Sequence, residues 1–247
     1  DIFEDTRGIA EPAGALALAG LKKYVQREGV EGQQLLAVLS GANTNFDRLR
    51  YISERTEIGE RREAVICVTL AEQPGAFRKF CAALGKRNIT EFNYRYNGKE
   101  TARVFVGLTI DPDGDDLKEL MDRLQALGYQ CEDLTENEMA KLHIRYMVGG
   151  KAPADLTDER VYRVEFPERP GALSKFLSGF GHKWNISLFH YRNHGAAYGR
   201  IMVGLQTSGK EKTAIETQLE EIGYRYWDES EIFAYLRYLG KEEPGSE

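Results

Sequence analysis

The chain has 247 residues, of which 42% are hydrophobic and 29% charged, as is ordinary for a protein that folds around buried cores. Its formal net charge of −6 argues against a nucleic-acid or anionic-membrane surface, and no basic cluster is dense enough to offset that charge. The longest apolar run is too short and too rich in glycine to span a bilayer, and no basic leader precedes it. We therefore expect neither nucleic acid nor a membrane among the partners.

Residues 1–60 differ in character from the rest. A helix of small residues is predicted from Ala13 to about Tyr24, and the apolar run Leu35 to Leu39 predicts a buried strand. Ser40 to Asn43 then forms a small-residue turn, where a backbone can approach a ligand closely. One helix and one strand cannot bury a core. We expect this part to be the last piece of a larger α/β domain, followed by a charged connector with a helix near residues 46–55.

A segment that occurs twice organises the remainder. The first copy reads Pro74-Gly75 and then Asn88-Ile89-Thr90-Glu91-Phe92-Asn93-Tyr94-Arg95, and the second reads Pro170-Gly171 and then Asn185-Ile186-Ser187-Leu188-Phe189-His190-Tyr191-Arg192. The two copies are 96 residues apart at the proline and 97 apart at the tyrosine. Solenoid repeats have much shorter periods, so this spacing indicates a duplicated domain.

Each copy predicts the element order β-α-β-β-α-β. In the first, strands are expected at Val65–Leu70, at Ile89–Tyr96, along Val104, Val106, Leu108 and Ile110, and near Leu134; the helices carry the stripes Phe77, Phe80, Cys81, Leu84 and Leu117, Leu120, Met121, Leu124, Leu127. In the second, strands are expected at Val161–Phe166, Ile186–Arg192 and Tyr198–Thr207, and helices at Gly171–Phe180 and Lys210–Ile222. The predicted fold class is α+β. It comprises two tandem ferredoxin-like domains, each with a four-stranded antiparallel sheet and two helices on one face.

These patterns divide the chain after the connector. The first module spans 63–136 and the second 159–238, with a bridge at 137–158 that begins near a short helix, Glu136 to Leu142. The acidic tail, 239–247, contains proline and glycine and is expected to be disordered.

The repeated residues are candidates for binding a small molecule. Gly75 and Gly171 lie where strand one passes to helix one, and backbone N–H groups at a helix start can hold a carboxylate. Geometry alone could also explain a Pro-Gly pair at a helix start. Alternation on strand two puts Phe92 and Tyr94 on one face and Arg95 on the other.

The second copy presents the corresponding Phe189, Tyr191 and Arg192. A tyrosine hydroxyl near a helix start, above an apolar floor, suits an amino acid with a hydrophobic side chain. The simpler alternative is that the two phenylalanines are core and the two arginines are solvated, and we accept the core role for the phenylalanines.

No catalytic or metal-binding pattern is visible. The cysteines Cys67, Cys81 and Cys131 are an odd, widely spaced set, which indicates buried thiols in a reducing cytosol and a cytoplasmic protein. None of the four histidines shows ligand spacing. The residues alone indicate modules that bind and do not catalyse.

Four segments resemble biosynthetic threonine ammonia-lyase (threonine dehydratase): Glu11-Pro12-Ala13-Gly14-Ala15, Val38-Leu39-Ser40-Gly41-Ala42-Asn43, Met139 through Gly150, and Phe189-His190-Tyr191-Arg192. The resemblance runs over almost the whole chain. It implies an N-terminal pyridoxal 5'-phosphate domain of fold type II and a C-terminal pair of ACT-like domains. The family converts threonine to 2-oxobutanoate and ammonia, the first step of isoleucine biosynthesis, and assembles as a tetramer. Isoleucine inhibits through the ACT-like pair, and valine relieves the inhibition.

The resemblance also implies roles for single residues. Ser40 matches the serine that hydrogen-bonds the cofactor's pyridine nitrogen, and Glu11 matches a glutamate lining the cofactor site. Tyr94 and Tyr191 match the effector-binding tyrosines, and Arg95 and Arg192 follow them. The family's Schiff-base lysine and glycine-rich phosphate loop would lie upstream of Asp1, so this chain is expected to be the regulatory portion and inactive alone. The alternative is a free-standing amino-acid sensor that docks a separate catalytic subunit.

Overall fold

The computed structural model describes residues 1–41, 45, 49, 52, 56, 62–111, 114–167, 169, 171–180, 183–193 and 198–240. The chain divides into two compact units, residues 1–59 and residues 60–247.

The first unit contains the helices α1 (Ile2–Thr6) and α2 (Pro12–Glu28). Proline is favoured at the first position of α2 because the N–H that it lacks has no partner inside a helix. Gly29, with φ of 61°, ends the helix in the left-handed conformation that glycine adopts readily. The predicted helix of small residues is confirmed, and it is one turn longer than expected.

The predicted strand at Leu35–Leu39 is wrong. These residues are in no strand, and the side chains of Leu36 and Val38 are 85% and 69% exposed. A strand needs a neighbour to pair its N–H and C=O groups, and the described residues of this unit offer none. The helix predicted near 46–55 and the tail after 240 lie largely or wholly outside the described residues.

The second unit is built on one antiparallel sheet. Its strands are β1 (Glu63–Ala71), β2 (Ile89–Arg95), β3 (Thr101–Thr109), β4 (Gln130–Asp133), β5 (Glu159–Pro167), β6 (Ile186–Arg192), β7 (Tyr198–Gln206) and β8 (Arg225–Asp228). Their order is β4-β1-β3-β2-β6-β7-β5-β8. Each half has the order expected of a split β-α-β fold, so the predicted tandem of ferredoxin-like modules is confirmed.

Four helices pack on one face of this sheet: α3 (Ala76–Leu84), α4 (Asp116–Ala126), α6 (Ala172–Phe180) and α7 (Lys212–Ile222). The stripe of α3 recurs every three or four residues, and all four predicted side chains are buried. The stripe of α4 is confirmed except at Leu127, which is 59% exposed. Leu127 follows the last helical residue and precedes Gly128, whose φ is 86°, so it has left the buried face.

The two modules share an edge, which the sequence did not predict. Strands β2 and β6 pair antiparallel, with Phe92 opposite Tyr191 and Tyr94 opposite Phe189. Two backbone bonds extend the pairing, from Tyr96 N–H to Ser187 O at 2.7 Å and from Asn193 N–H to Thr90 O at 2.7 Å. These residues are equivalent in the two copies, so the seam has a pseudo-twofold arrangement.

The other face of the sheet carries shorter elements: α5 (Glu138–Leu142), a 3₁₀ helix (Ile144–Tyr146) and α8 (Phe233–Tyr238). Ala140 packs on Val65 and Phe105 in the first module, and Tyr235 packs on Val161 and Leu188 in the second.

Two equivalent glycines leave room for hydrogen bonds on this face. A Cβ on Gly107 would collide with the Thr90 hydroxyl, which donates to Glu63 at 2.6 Å. A Cβ on Gly204 would lie 2.6 Å from Glu159 Oε1, which accepts a hydrogen bond from Ser187.

Gly107→Ala is expected to lower the free energy of unfolding by about 1–3 kcal/mol, because the added methyl group overpacks a filled site. Urea unfolding followed by circular dichroism measures the change. Gly114→Ala is the control, since its Cβ would have 3.8 Å to the nearest atom. Equal effects of the two substitutions would contradict the argument.

Candidate functional site

Two clefts lie at the seam between the modules, on the helix-bearing side of the sheet. The first cleft is lined by Gly171, Leu173 and Tyr191 of the second module and by Cys81, Asn88 and Ile89 of the first. The second cleft is lined by Gly75 and Phe77 of the first module and by Leu177, Asn185 and Ile186 of the second. Except for Tyr191, these are the same positions of the duplicated sequence with the modules exchanged. The repeated motif therefore faces the partner module in each copy.

The glycines of the motif start the helices at the clefts. Gly75 and Gly171 have φ of 83° and 84°, a left-handed conformation that costs glycine little. The first backbone bonds of α3 and α6 run from Lys79 N–H to Gly75 O and from Lys175 N–H to Gly171 O. The structure thus brings both predicted glycines to a cleft, each at the positive end of a nine-residue helix.

Both predicted tyrosines are buried next to the seam. The hydroxyl of Tyr94 donates a hydrogen bond to the carboxylate of Glu72, and its ring centroid lies 4.8 Å from that of Phe77. Burial, followed by this bond to Glu72, raises the pKa of Tyr94, so its hydroxyl stays protonated as a donor. Tyr191 lines the first cleft and packs on Phe166, with the ring centroids 5.6 Å apart.

Glu72 is a site residue that the sequence analysis missed. Its carboxylate accepts a second hydrogen bond from the Asn185 amide of the other module, at 2.7 Å. Burial raises the pKa of Glu72, and the bonds from Tyr94 and Asn185 oppose that rise. The available signal was its position directly before the repeated loop, where the second copy also has glutamate, at 168.

Phe92 and Phe189 belong to the core under the seam. Their rings meet edge to face, with centroids 5.3 Å apart, and both are fully buried. The core role that the sequence analysis accepted for them agrees with this packing.

Arg95 and Arg192 lie on the opposite face of the sheet, as alternation predicted for Arg95. Arg95 forms two bonds with the carboxylate of Glu159, at 2.6 and 3.0 Å, and a third with Leu239 O at 2.8 Å. Arg192 donates to the Tyr146 hydroxyl at 2.9 Å and lies over its ring. The structure separates these arginines from both clefts, and their assignment to an effector stays a prediction.

A buried ionic cluster surrounds Arg145 on that same face. Its Nε donates to Glu91 at 2.8 Å, and its terminal nitrogen bonds Glu63 at 3.2 Å. The Asn93 amide donates to Glu91 at 2.6 Å and to Arg145 O at 3.2 Å. Arg145 is 5% exposed, so the cluster fixes the 3₁₀ helix to the central strands.

In the first unit the structure brings Glu11 and Ser40 together. Gly14 of α2 packs directly on the backbone of Ser40, and Gly41 lies against the carboxylate of Glu11. Ser40 is exposed and Glu11 is half-buried. Ser40 and Glu11 thus both lie near the start of α2.

Within the described ranges, no group of three or more His, Cys, Asp or Glu side chains is placed to hold a metal ion. No helix in those ranges is long and apolar enough to cross a membrane. The Cys81 thiol is buried, and burial raises its pKa to about 12, so it stays protonated and unreactive.

A family model described as the C-terminal regulatory domain of threonine dehydratase matches residues 54–144 and 150–239. The chain belongs to this family. The two matched ranges contain the two modules and both clefts, so the site described above lies in the regulatory part of the threonine dehydratase family.

Full-length relatives agree with this assignment. The L-threonine dehydratase biosynthetic IlvA of Burkholderia multivorans is 52% identical over 97% of this chain and 47% of its own length. The Escherichia coli protein of the same name is 50% identical over 97% and 46%. The mitochondrial threonine dehydratase of Saccharomyces cerevisiae is 43% identical over 97% and 43%. The chain thus spans about half the length of the relatives that it matches.

Asn185→Ala is expected to lower the free energy of unfolding by about 1 kcal/mol or more, because it removes a hydrogen bond to a carboxylate at the seam. The equivalent Asn88→Ala is the matched control, since among the described residues its amide donates only to Thr109 Oγ1, at 3.5 Å. Urea titrations of both variants test the difference. A loss at position 88 as large as that at 185 would contradict it.

Arg145→Met is expected to lower the free energy of unfolding by about 3–5 kcal/mol, since it leaves Glu63 and Glu91 buried without their cation. Burial already raises the pKa of Glu91, and Arg145 opposes the rise. The variant's folded state therefore binds protons more tightly than its unfolded state. Its stability falls as the pH rises from the pKa of Glu91 in the unfolded state through the higher pKa of Glu91 in the folded state.

Urea unfolding of the wild type and the variant at about pH 5 and about pH 7 measures this effect. The variant's deficit should be smaller at the lower pH. A deficit that is the same at both values would show that Glu91 is not the affected group.

Proposed function

We propose that this chain is the regulatory portion of a pyridoxal-phosphate-dependent threonine ammonia-lyase, and that branched-chain amino acids bind in the clefts between its two modules. Isoleucine would act as the inhibitor and valine as the activator. The observation that carries the proposal is the pair of equivalent clefts, each of which joins a helix start of one module to apolar side chains of the other.

The chemistry of the second cleft suits a zwitterion with an aliphatic side chain. The start of α3 at Gly75 offers backbone N–H groups and a positive helix end to a carboxylate. Phe77, Leu177 and Ile186 form an apolar wall. The first cleft repeats these features and is lined by the guanidinium-bearing Arg87 and Arg169, whereas the second is lined by Arg78.

The size of the clefts suggests how binding could act at a distance. Their volumes are about 40 Å³ and about 10 Å³. A single water needs about 10–15 Å³ of such space, so neither cleft is large enough for an amino acid in this conformation. An effector would have to separate α3 from α6, which contact each other across the seam. A ligand that favours the opened seam shifts the balance between two states, and coupling of about 1–3 kcal/mol gives about 5- to 150-fold control.

The cofactor belongs to the same proposal. Ser40 and Glu11, both near the start of α2, would form one edge of a pyridoxal-phosphate site, with the Ser40 hydroxyl bonded to the pyridine nitrogen. Bound cofactor would supply the electron sink for elimination of ammonia from threonine. The Schiff-base lysine and the phosphate loop would come from other residues of the full-length enzyme, which we propose is a cytoplasmic tetramer.

An exposed apolar run is compatible with the proposed function and with a second candidate function. Leu36, Val38 and Leu39 are exposed in the described part of the first unit, as expected of a surface that docks another body. That body is either the catalytic domain of the same chain or, in the alternative, a separate catalytic subunit regulated by a free-standing sensor. If the same reading frame encodes the lysine and the glycine-rich loop upstream, the docked body is the catalytic domain of the same chain.

Calorimetric titration of the chain with isoleucine, then valine, with threonine as control, tests the proposed function. We expect isoleucine to bind with micromolar-range affinity, at about −8 kcal/mol. Tyr191→Phe and Tyr94→Phe are each expected to weaken an effector by about tenfold, the first through loss of a hydroxyl in the first cleft and the second through loss of the bond to Glu72. Unchanged affinity in both variants would contradict the site, and no binding of any effector would contradict the effector function of the isolated chain.

A further inference from the structure

Glu72 holds an unusual position among the carboxylates near the seam. It follows the last residue of β1, is half-buried, and accepts a hydrogen bond from Asn185, which lines the second cleft. Both of its side-chain partners are neutral: the Tyr94 hydroxyl of its own module and the Asn185 amide of the other. One oxygen accepts from each donor, so the carboxylate is held in a fixed orientation.

In the described part of the chain no ion pair within 4.0 Å joins this carboxylate to a Lys or Arg nitrogen, and its side-chain bonds are those to Tyr94 and Asn185. Glu159 and Glu91, buried on the other face, each have an arginine partner. A desolvated carboxylate without a cation is costly, and the raised pKa of Glu72 reflects this cost. A bound cation would relieve it.

We propose that the carboxylate of Glu72 binds the α-ammonium group of the amino acid in the second cleft and so selects amino acids over the corresponding carboxylic acids. This inference rests on the proposed function and deepens it. Asn185 and Tyr94 position the carboxylate, the start of α3 receives the ligand carboxylate, and the apolar wall receives the side chain.

The two clefts differ in the charged side chains that line them. At the positions equivalent to Arg87 and Arg169 of the first cleft, the second cleft has Trp184 and Gln73. Arg78 lines the second cleft where the first has Ser174, so the described lining offers two cations in the first cleft and one in the second. The requirement for an ammonium group is assigned to the second cleft, where Tyr94 and Asn185 hold the Glu72 carboxylate.

Trp184 lines the second cleft and makes occupancy measurable there. The chain has two tryptophans, so Trp227→Phe leaves Trp184 as its single indole. In this background, isoleucine and 3-methylpentanoate, which has the same skeleton without the ammonium group, are titrated by fluorescence and by calorimetry. The variants are Glu72→Gln and, as a control, Glu119→Gln on the exposed surface of α4.

The background protein is expected to bind isoleucine about tenfold or more tighter than 3-methylpentanoate, with a change in Trp184 fluorescence. Glu72→Gln keeps the shape and one of the two acceptor oxygens but removes the charge, so it should abolish most of that preference. Its affinity for 3-methylpentanoate should change by less than about threefold, and Glu119→Gln should leave both affinities unchanged. Far-ultraviolet circular dichroism and urea unfolding verify that each variant is folded.

Two results overturn the inference while the proposed function stands. One is isoleucine binding without any change in Trp184 fluorescence, and the other is a preference for isoleucine that survives in Glu72→Gln. If the background protein binds no branched-chain amino acid by either method, the proposed effector function itself fails, and this inference fails with it.

Discussion

Antiparallel pairing of β2 with β6 is the constraint on which the rest of the regulatory unit depends. In a lone ferredoxin-like module the second strand is an edge, and an exposed edge is open to pairing with other chains. Here each module covers the other's edge, and the sheet ends instead in β4 and β8, which have four residues each. The pairing also places the helix start of each module against the other, so both clefts exist only because the seam exists.

The contacts on one face of the sheet follow the pseudo-twofold relation, and those on the other face do not. On the helix-bearing face the aromatic pairs across the seam are equivalent, and the clefts repeat each other's layout. On the opposite face Arg95 reaches Glu159 of the other module, but Glu63, the counterpart of Glu159, is bound by Arg145. The counterpart of Arg95, Arg192, contacts Tyr146 instead. The bridge between the modules thus contributes a cation that breaks the symmetry.

The sequence predicted what depends on local pattern. The duplication revealed two modules, period-2 and period-3.6 patterns located their strands and helices, and alternation separated Phe92 and Tyr94 from Arg95. The predictions that were wrong or missing concern contacts between residues that are far apart in the sequence. The run at Leu35–Leu39 has strand composition, but the described part of its unit offers no strand to pair with it, and strand pairing across 97 residues leaves no local signal. The role of Glu72 could not be predicted, because a glutamate before a turn is typically a solvated charge. Only the fold places Asn185 of the other module against it.

The joining of both modules in one polypeptide has an evolutionary consequence. Had a single module formed this seam with a second copy of itself, every substitution would appear in both clefts at once. Fusion removes that restriction, because each half can mutate alone while the paired strands hold the architecture. The arginines of one cleft and the tryptophan and glutamine at the same positions of the other record such divergence. A fused pair can therefore evolve two different responses, whereas a symmetric dimer can only repeat one.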